Sequence, residues 1–226
     1  RKSIIWCDSR AVEIGRKAYG DIGEDNCKAH LLNSPANFTA SKLKWVKENE
    51  PELYKMADKL MLPGDYIAFR FSNVINTTIS GLSEGILWDF KEDAVADLLL
   101  EHYGIPKSFI PDIVDTFGLQ SKVDAKGAQE SGLAVGTPIL YRAGDQPNNA
   151  LALNVFNPGE VAATGGTSGV VYAVTDSLSG KESTRVNNFA HVNYSKQNPR
   201  VGKLLNINGA GIQYRWLLNN LAVDSY

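Results

Sequence analysis

With 226 residues, 43% of them hydrophobic and 21% charged, the chain has enough material for one large or two small domains around a real core, which excludes a disordered polypeptide. Its net charge of −2, with acids and bases interspersed and no basic stripe, argues against nucleic acid and anionic membrane as partners, and no apolar run is long enough to span a bilayer. Two cysteines, Cys7 and Cys27, predict free thiols in a reduced cytoplasm rather than a disulfide framework, and the scattered His30, His102 and His191 fit no metal-ligand spacing. No signal peptide is recognisable at the N-terminus, and Arg1 is not a natural start.

In chain order, Ser3 to Cys7 reads as a short buried strand ending in Asp8-Ser9-Arg10. That acid and base could project into a crevice. Equally, they could pair at the surface while Asp8 or Ser9 caps the next helix. Helices are expected over about Ser9–Tyr19 and Glu24–Leu31, then from a cap at Thr39 or Ser41 to a break at Asn49-Glu50-Pro51, with Pro51 opening another. Trp45 is expected to pack between these helices. Ile67–Phe71 reads as a strand, Asn76-Thr77-Thr78 as a polar connection, and Glu92–Tyr103 as a helix with Val95, Leu98, Leu99 and His102 on its packed face, closed by Gly104. Ile105–Gln120 reads as an extended connector, Ser121–Gly132 as a helix, and Ile139–Tyr141 as a strand delivering Gly144-Asp145. Pro147 suits the first turn of a helix that can continue to Val155. Glu160–Thr164 and Val170–Val174 form a hairpin, Val186–Asn193 is a further strand, and Ile212–Leu221 is a last helix with Trp216 and Leu217 inward. Composition shifts from helical to β-rich near residues 139 and 140, which places a domain boundary there.

Chemistry concentrates in two places. The hairpin turn Gly165-Gly166-Thr167-Ser168-Gly169 can make an anion nest with two hydroxyl donors, or be a plain turn. It is no Walker loop, because no lysine follows. Asp145 lies at a strand–helix junction, where an aspartate either caps the helix or serves as a base. An acid able to take a proton beside a turn able to hold phosphate suggests phosphoryl transfer, in which the base orients the attacking hydroxyl.

An ordered set of motifs resembles the FGGY carbohydrate kinases. The set comprises Trp6-x-Asp8-x-Arg10, Lys42-Leu-Lys-Trp45 before Asn49-Glu50-Pro51-Glu52, Leu62-Pro63-Gly64-Asp65-Tyr66-Ile67, Gly104-Ile105-Pro106, Ile110-Pro111, Gly136-Thr137-Pro138, Gly144-Asp145-Gln146 and Gly166-Thr167-Ser168. The resemblance implies an α/β fold with two actin-like, ribonuclease-H-like domains, present here in part. Residues 1–139 would be the later part of the N-terminal, sugar-binding domain and residues 140–226 the early part of the C-terminal, ATP-binding domain. It implies ATP with Mg2+ as cofactors and a small-molecule sugar as partner, D-xylulose first, with ribulose, gluconate or glycerol as alternatives. A sugar-free actin-like nucleotide-binding module is the rival from another class, and a homodimer is left open.

By the same resemblance Asp145 is the catalytic base. Trp6, Asp8, Arg10 and Gln146 bind the sugar. Gly166, Thr167 and Ser168 hold the phosphates of ATP. The family's first phosphate-binding strand and its adenosine-holding Gly-Gly segment have no counterpart here, and Phe71-Ser72-Asn73 replaces the usual Leu-Thr-Gly. The stretch is therefore expected to be an internal piece, inactive by itself.

Overall fold

A computed structural model describes residues 4–183 and 185–221. Of the expected first strand, Ser3 lies outside the described residues, and residues 4–7 form no strand. Ile5 and Trp6 are 54% and 81% exposed. A short apolar run becomes a strand only where a neighbour takes up its backbone N–H and C=O groups. Here the carbonyls of Ile5 and Trp6 accept from Lys42 Nζ at 2.8 and 3.2 Å instead.

Helix α1 (Val12–Ile22) starts after Ala11 with no side-chain cap, so neither Asp8 nor Ser9 serves as one. Helix α2 (Glu24–Asn26) runs into a π-helical turn at Cys27–Leu31. Helix α3 (Thr39–Asn49) has Phe38 at its N-cap, with Thr39 as its first helical residue. The hydroxyl of Ser41 is buried within that helix, 3.3 Å from the carbonyl of Pro35 and 2.8 Å from the Tyr103 hydroxyl. Helix α4 (Pro51–Met56) opens on its proline as expected.

Helix α5 (Pro63–Ser72) occupies the stretch expected to hold a strand at Ile67–Phe71. Three local features override the β-propensity of that stretch. Pro63 starts the helix, Asp65 accepts from the Leu62 N–H at 3.3 Å, and the buried pair Ala68 and Ser72 repeats at helical spacing.

Strand β1 (Asn76–Thr78) leads directly into helix α6 (Ile79–Glu84), where Thr78 Oγ1 caps by accepting from the Gly81 N–H at 3.2 Å. Strands β2 (Trp88–Asp89) and β3 (Ala94–Val95) form a tight hairpin through Asp93, which takes a left-handed φ of 56°. The following helix, α7 (Asp97–Tyr103), is therefore shorter than expected. Its fully buried residues are Leu99, Leu100 and Tyr103 rather than Leu98 and His102, and Gly104 closes it in the left-handed conformation as expected.

The expected connector holds a 3-10 turn (Lys107–Phe109), strand β4 (Asp112–Val114) and most of strand β5 (Phe117–Lys122). β4 pairs in parallel with β1, which turns the polar Asn76–Thr78 connection into a buried strand. After helix α8 (Ala125–Ser131), strand β6 (Pro138–Tyr141) pairs antiparallel with β5. Helix α9 (Asp145–Ala152) is shorter than the span to Val155, because Leu153 leaves the helix and Asn154 takes a left-handed φ of 58°.

The last part is a four-stranded antiparallel sheet in the order β7-β8-β10-β9, built from β7 (Val161–Gly165), β8 (Gly169–Thr175), β9 (Val186–Ala190) and β10 (Val201–Ile207). β10 was not among the expected strands, yet it is the strand that joins β8 to β9. Helix α10 (Ala210–Leu221) exposes Trp216 and Leu217 at 58% and 44%, contrary to expectation. Among the described residues no element covers that apolar face, so periodicity alone could not turn it inward.

One core joins the helices to the sheet. Leu31, Leu82, Leu99, Leu100 and Tyr103 pack in the same cluster as Phe189, Ala190 and Val201. A smaller cluster of Ala150, Val155, Ala162, Tyr172 and Val174 anchors α9 on the sheet. Two buried polar links fix the register between the parts. Asn33 and Asn188 exchange bonds, with Asn188 N–H to Asn33 Oδ1 at 2.8 Å and Asn33 Nδ2 to the Asn188 carbonyl at 2.6 Å. The Ala190 N–H donates to Ser83 Oγ at 2.9 Å. Helix α6 thus bridges the two parts, and its last residue, Glu84, lies at the cleft between them.

Candidate active site

A cavity of about 860 Å³ opens where α3, α5, α6, α9 and the main sheet converge. Of the residues singled out from sequence, Trp6, Asp145, Gln146 and Ser168 line it, whereas Asp8, Arg10, Gly166 and Thr167 do not. Asp145 is the first residue of α9, with Gly144 as N-cap, and it is exposed to the cavity. Gln146 Nε2 donates to Asp145 Oδ2 at 3.3 Å.

Asp8 and Arg10 pair with each other. The guanidinium donates to both carboxylate oxygens, at 2.8 and 2.6 Å, and lies 4.4 Å from the Trp45 ring centroid. That fork holds the Asp8 carboxyl down at about 2. Trp45 is only partly buried, with Arg10 against its ring. Asn37 Nδ2 donates to the Asp8 carbonyl at 2.5 Å, so this pair fastens the N-terminal segment over α3 at the cavity rim.

Gly166 and Thr167 line a second hollow of about 330 Å³ with Gly211, Ile212 and Arg215. The N–H groups of Gly211 and Ile212, at the start of α10, donate to the carbonyls of Gly166 and Thr167 at 3.0 and 3.1 Å. A Cβ on Gly211 would sit 2.4 Å from the Gly166 carbonyl oxygen, so only glycine permits this approach. The hairpin is thus braced by the helix. Ser168 faces the large cavity while Thr167 and the Arg215 cation face the smaller one.

Of the charged residues that line the cavity, Lys42 and Asp65 belong to the sequence motifs without a site role, and two more, Arg142 and Glu84, went unnoticed in the sequence. Arg142, between β6 and α9, is buried in an ion pair with Asp65, Nε to Oδ1 at 2.8 Å, the two side chains being 9% and 6% exposed. It also donates to Gln120 Oε1 at 3.1 Å, to the Asn76 carbonyl at 2.8 Å and to Asn76 Oδ1. Asp65 accepts in addition from Thr77 Oγ1 at 2.9 Å. This network ties α5, β1 and β5 to the segment that carries Asp145. The other missed residue is Glu84, whose carboxyl lies under Gly144. Burial, and secondarily the charge of Asp145, pushes it up to about 8. Neither carries a sequence motif. An Arg before Ala-Gly-Asp and a Glu before Gly become conspicuous only when the fold brings them to one cavity.

No cluster of three or more His, Cys, Asp or Glu able to hold a metal occurs among the described residues, and no described helix is long and apolar enough to cross a membrane. Cys7 and Cys27 are both free. His30 bonds Asp89 at 2.8 Å, and the buried His191 lies 3.0 Å from both the Tyr172 hydroxyl and the Val155 carbonyl, so both serve the packing.

The fold is part of the actin-like architecture used by sugar kinases. Over its full length the chain superposes on the xylulose kinase of Rhodospirillum rubrum with a TM-score of 0.88 at 22% identity, spanning 45% of that protein. It superposes on the glycerol kinase of Plasmodium falciparum, solved with ADP, with a TM-score of 0.85 at 19% identity, over 98% of this chain and 45% of that one. In sequence it is 26% identical to the xylulose kinase of Escherichia coli over 192 residues, covering 84% of this chain and 39% of that protein. The N-terminal-domain model of the FGGY family of carbohydrate kinases matches residues 1–152, and the chain belongs to that family. It spans less than half the length of these relatives.

Proposed function

We propose that the chain supplies the sugar-facing part of an ATP-dependent kinase that phosphorylates a primary hydroxyl, converting D-xylulose to D-xylulose 5-phosphate. The observation that carries this reading is the exposure of Asp145 at the first turn of α9 to a cavity whose lining also includes Ser168 of the Gly-Gly-Thr-Ser-Gly hairpin. Xylulose is favoured over other sugars by the likeness in sequence to xylulose kinases.

Asp145 would accept the proton of the attacking hydroxyl as the new oxygen–phosphorus bond forms. Gln146 and Trp6 would hold the sugar against it. Asp8 and Arg10, on the same segment as Trp6 and paired with each other, would contribute to the sugar's binding from outside the cavity lining. Gly165 has open space where a side chain would lie and Gly166 has only the Ser168 carbonyl near it, at 3.7 Å, so phosphate oxygens can approach this backbone. Gly166, Thr167 and Ser168, with Arg215 beside them, would thus hold the phosphates of ATP. The transferable phosphoryl group would come from ATP, whose charge Mg2+ would neutralise. Mg2+ takes only one or two carboxylates beside phosphate and water, so it would need no cluster of acidic ligands. We place the division between the two domains at residues 139 and 140 and the protein in the cytoplasm.

The test is sugar-dependent ADP formation by the full-length kinase with D-xylulose, ribulose, gluconate and glycerol side by side. Xylulose is expected to have the highest kcat/KM. Preference for another sugar would reassign the substrate, and ATP hydrolysis indifferent to every sugar would overturn the kinase reading.

A further inference from the structure

Glu84 ends α6 with its carboxyl in the space a side chain on Gly144 would need. Its Oε1, Cδ and Oε2 lie 1.5, 1.8 and 1.9 Å from the ideal position of a Cβ there. It therefore sits directly against the backbone that presents Asp145. Among the described residues no cation pairs with it. Arg142, on the same cavity wall, is committed to Asp65, Gln120 and Asn76, and Lys42 to the carbonyls of Ile5 and Trp6. The titratable groups that feel its charge are Asp145 on α9, Tyr141 on β6 and Tyr172 on β8, none of them cationic.

Two carboxyls that line one cavity with no cation paired to either do not both ionise cheaply. Glu84, the less exposed of the two, is the one that keeps its proton. We propose that Glu84 is an uncharged, protonated positioning residue: seated against the backbone of Gly144, it fixes the turn that presents Asp145 to the sugar's proton without putting a second negative charge beside it. This deepens the sugar-kinase reading and rests on it. In the transfer step the sugar hydroxyl proton passes to Asp145, the sugar oxygen bonds phosphorus, and the bridging oxygen of ATP leaves. The Glu84 proton stays where it is.

The sign of the pH effect follows from the direction of the shift. Glu84 is protonated below about 8 and loses its proton as the pH rises through that value. Between its ordinary value of 4.5 and about 8 the folded chain keeps a proton the unfolded chain has released, so this group's contribution to stability falls across that window.

The experiment is pH-difference infrared spectroscopy of the full-length kinase without substrate, paired with a pH profile of kcat. The wild type is expected to show a protonated-carboxyl carbonyl band at neutral pH that fades as the pH rises through about 8 and is missing in Glu84→Gln. Glu84→Gln keeps the size of the side chain and is uncharged at every pH, so its kcat at neutral pH is expected within a few-fold of wild type, with the alkaline fall of kcat abolished. Glu84→Leu is expected to lose about tenfold or more in kcat with KM nearly unchanged. A carbonyl band indifferent to Glu84→Gln, or an alkaline fall that survives it, overturns the proposal. The infrared readout needs no turnover, so a band that behaves as expected in a protein that phosphorylates no sugar would retire the kinase reading and leave the protonated Glu84 standing.

Discussion

Asp145→Asn in the full-length kinase is expected to lower kcat at least about a hundredfold while leaving sugar affinity within a few-fold of wild type. Asparagine keeps the size and the hydrogen-bonding reach of the side chain and removes only its ability to accept a proton. The fold should not feel the change. Asp145 is exposed, and the side-chain bond recorded for it is the 3.3 Å contact from Gln146. A positioned base contributes roughly 10²–10⁴-fold, so the loss falls on kcat rather than on binding. Steady-state kinetics with a direct measurement of sugar binding decides it. Turnover at the wild-type rate would remove Asp145 from the chemistry.

Arg142→Met is expected to destabilise the protein by about 3–5 kcal/mol, the usual cost of deleting one partner of a buried ion pair. Most of that cost is the burial of what remains. Asp65 is 6% exposed and would keep its charge without the guanidinium, while Asn76 and Gln120 would each lose a donor. Replacing Asp65 by asparagine in the same protein should recover part of the loss, because the orphaned charge is then gone. Urea denaturation of the single and double variants measures both terms. The double variant proving as unstable as the sum of the two singles would show that the pair is not a coupled unit. Arg142 stands three residues before Asp145, so a surviving Arg142→Met protein should also bind sugar less well.

How far the site can be read from sequence depends on how local its determinants are. The hairpin at Gly165–Gly169 was legible because alternating strands on either side of a glycine-rich turn leave one economical arrangement, and β7 and β8 pair through it in register from Val161 with Ala173 to Gly165 with Gly169. The start of α9 was legible for the same reason, since Gly, Asp and Pro within four residues announce a first turn. Elements whose state is decided by distant partners were not. Ile67–Phe71 has strand-forming residues, and the Pro63 and Asp65 that start α5 outweigh them. β10 has an ordinary apolar sequence and exists because β8 and β9 flank it. The Ser3–Cys7 run has no such neighbour and stays irregular where it is described.

Glu84 illustrates the limit most sharply. In sequence it is an acid before a glycine at the end of a short helix, and nothing marks it. Gly144 lies sixty positions further along the chain, and only the packing of α6 under the start of α9 places the carboxyl there. Asp8 and Arg10 show the converse. Their spacing left open a pair projecting into a crevice or an ion pair at the surface, and in the fold they satisfy each other outside the lining of the large cavity.

The central claim is that the cavity at Asp145 receives the sugar and that the hairpin receives the nucleotide. Amide hydrogen exchange of the full-length kinase tests it without assuming turnover. With D-xylulose, protection should appear at residues 36–42 and 142–146, the segments that line the large cavity. With Mg-ATP it should appear at residues 165–169 and at the start of α10. Sugar that protects neither cavity segment, or nucleotide that leaves the hairpin unchanged, would contradict the account.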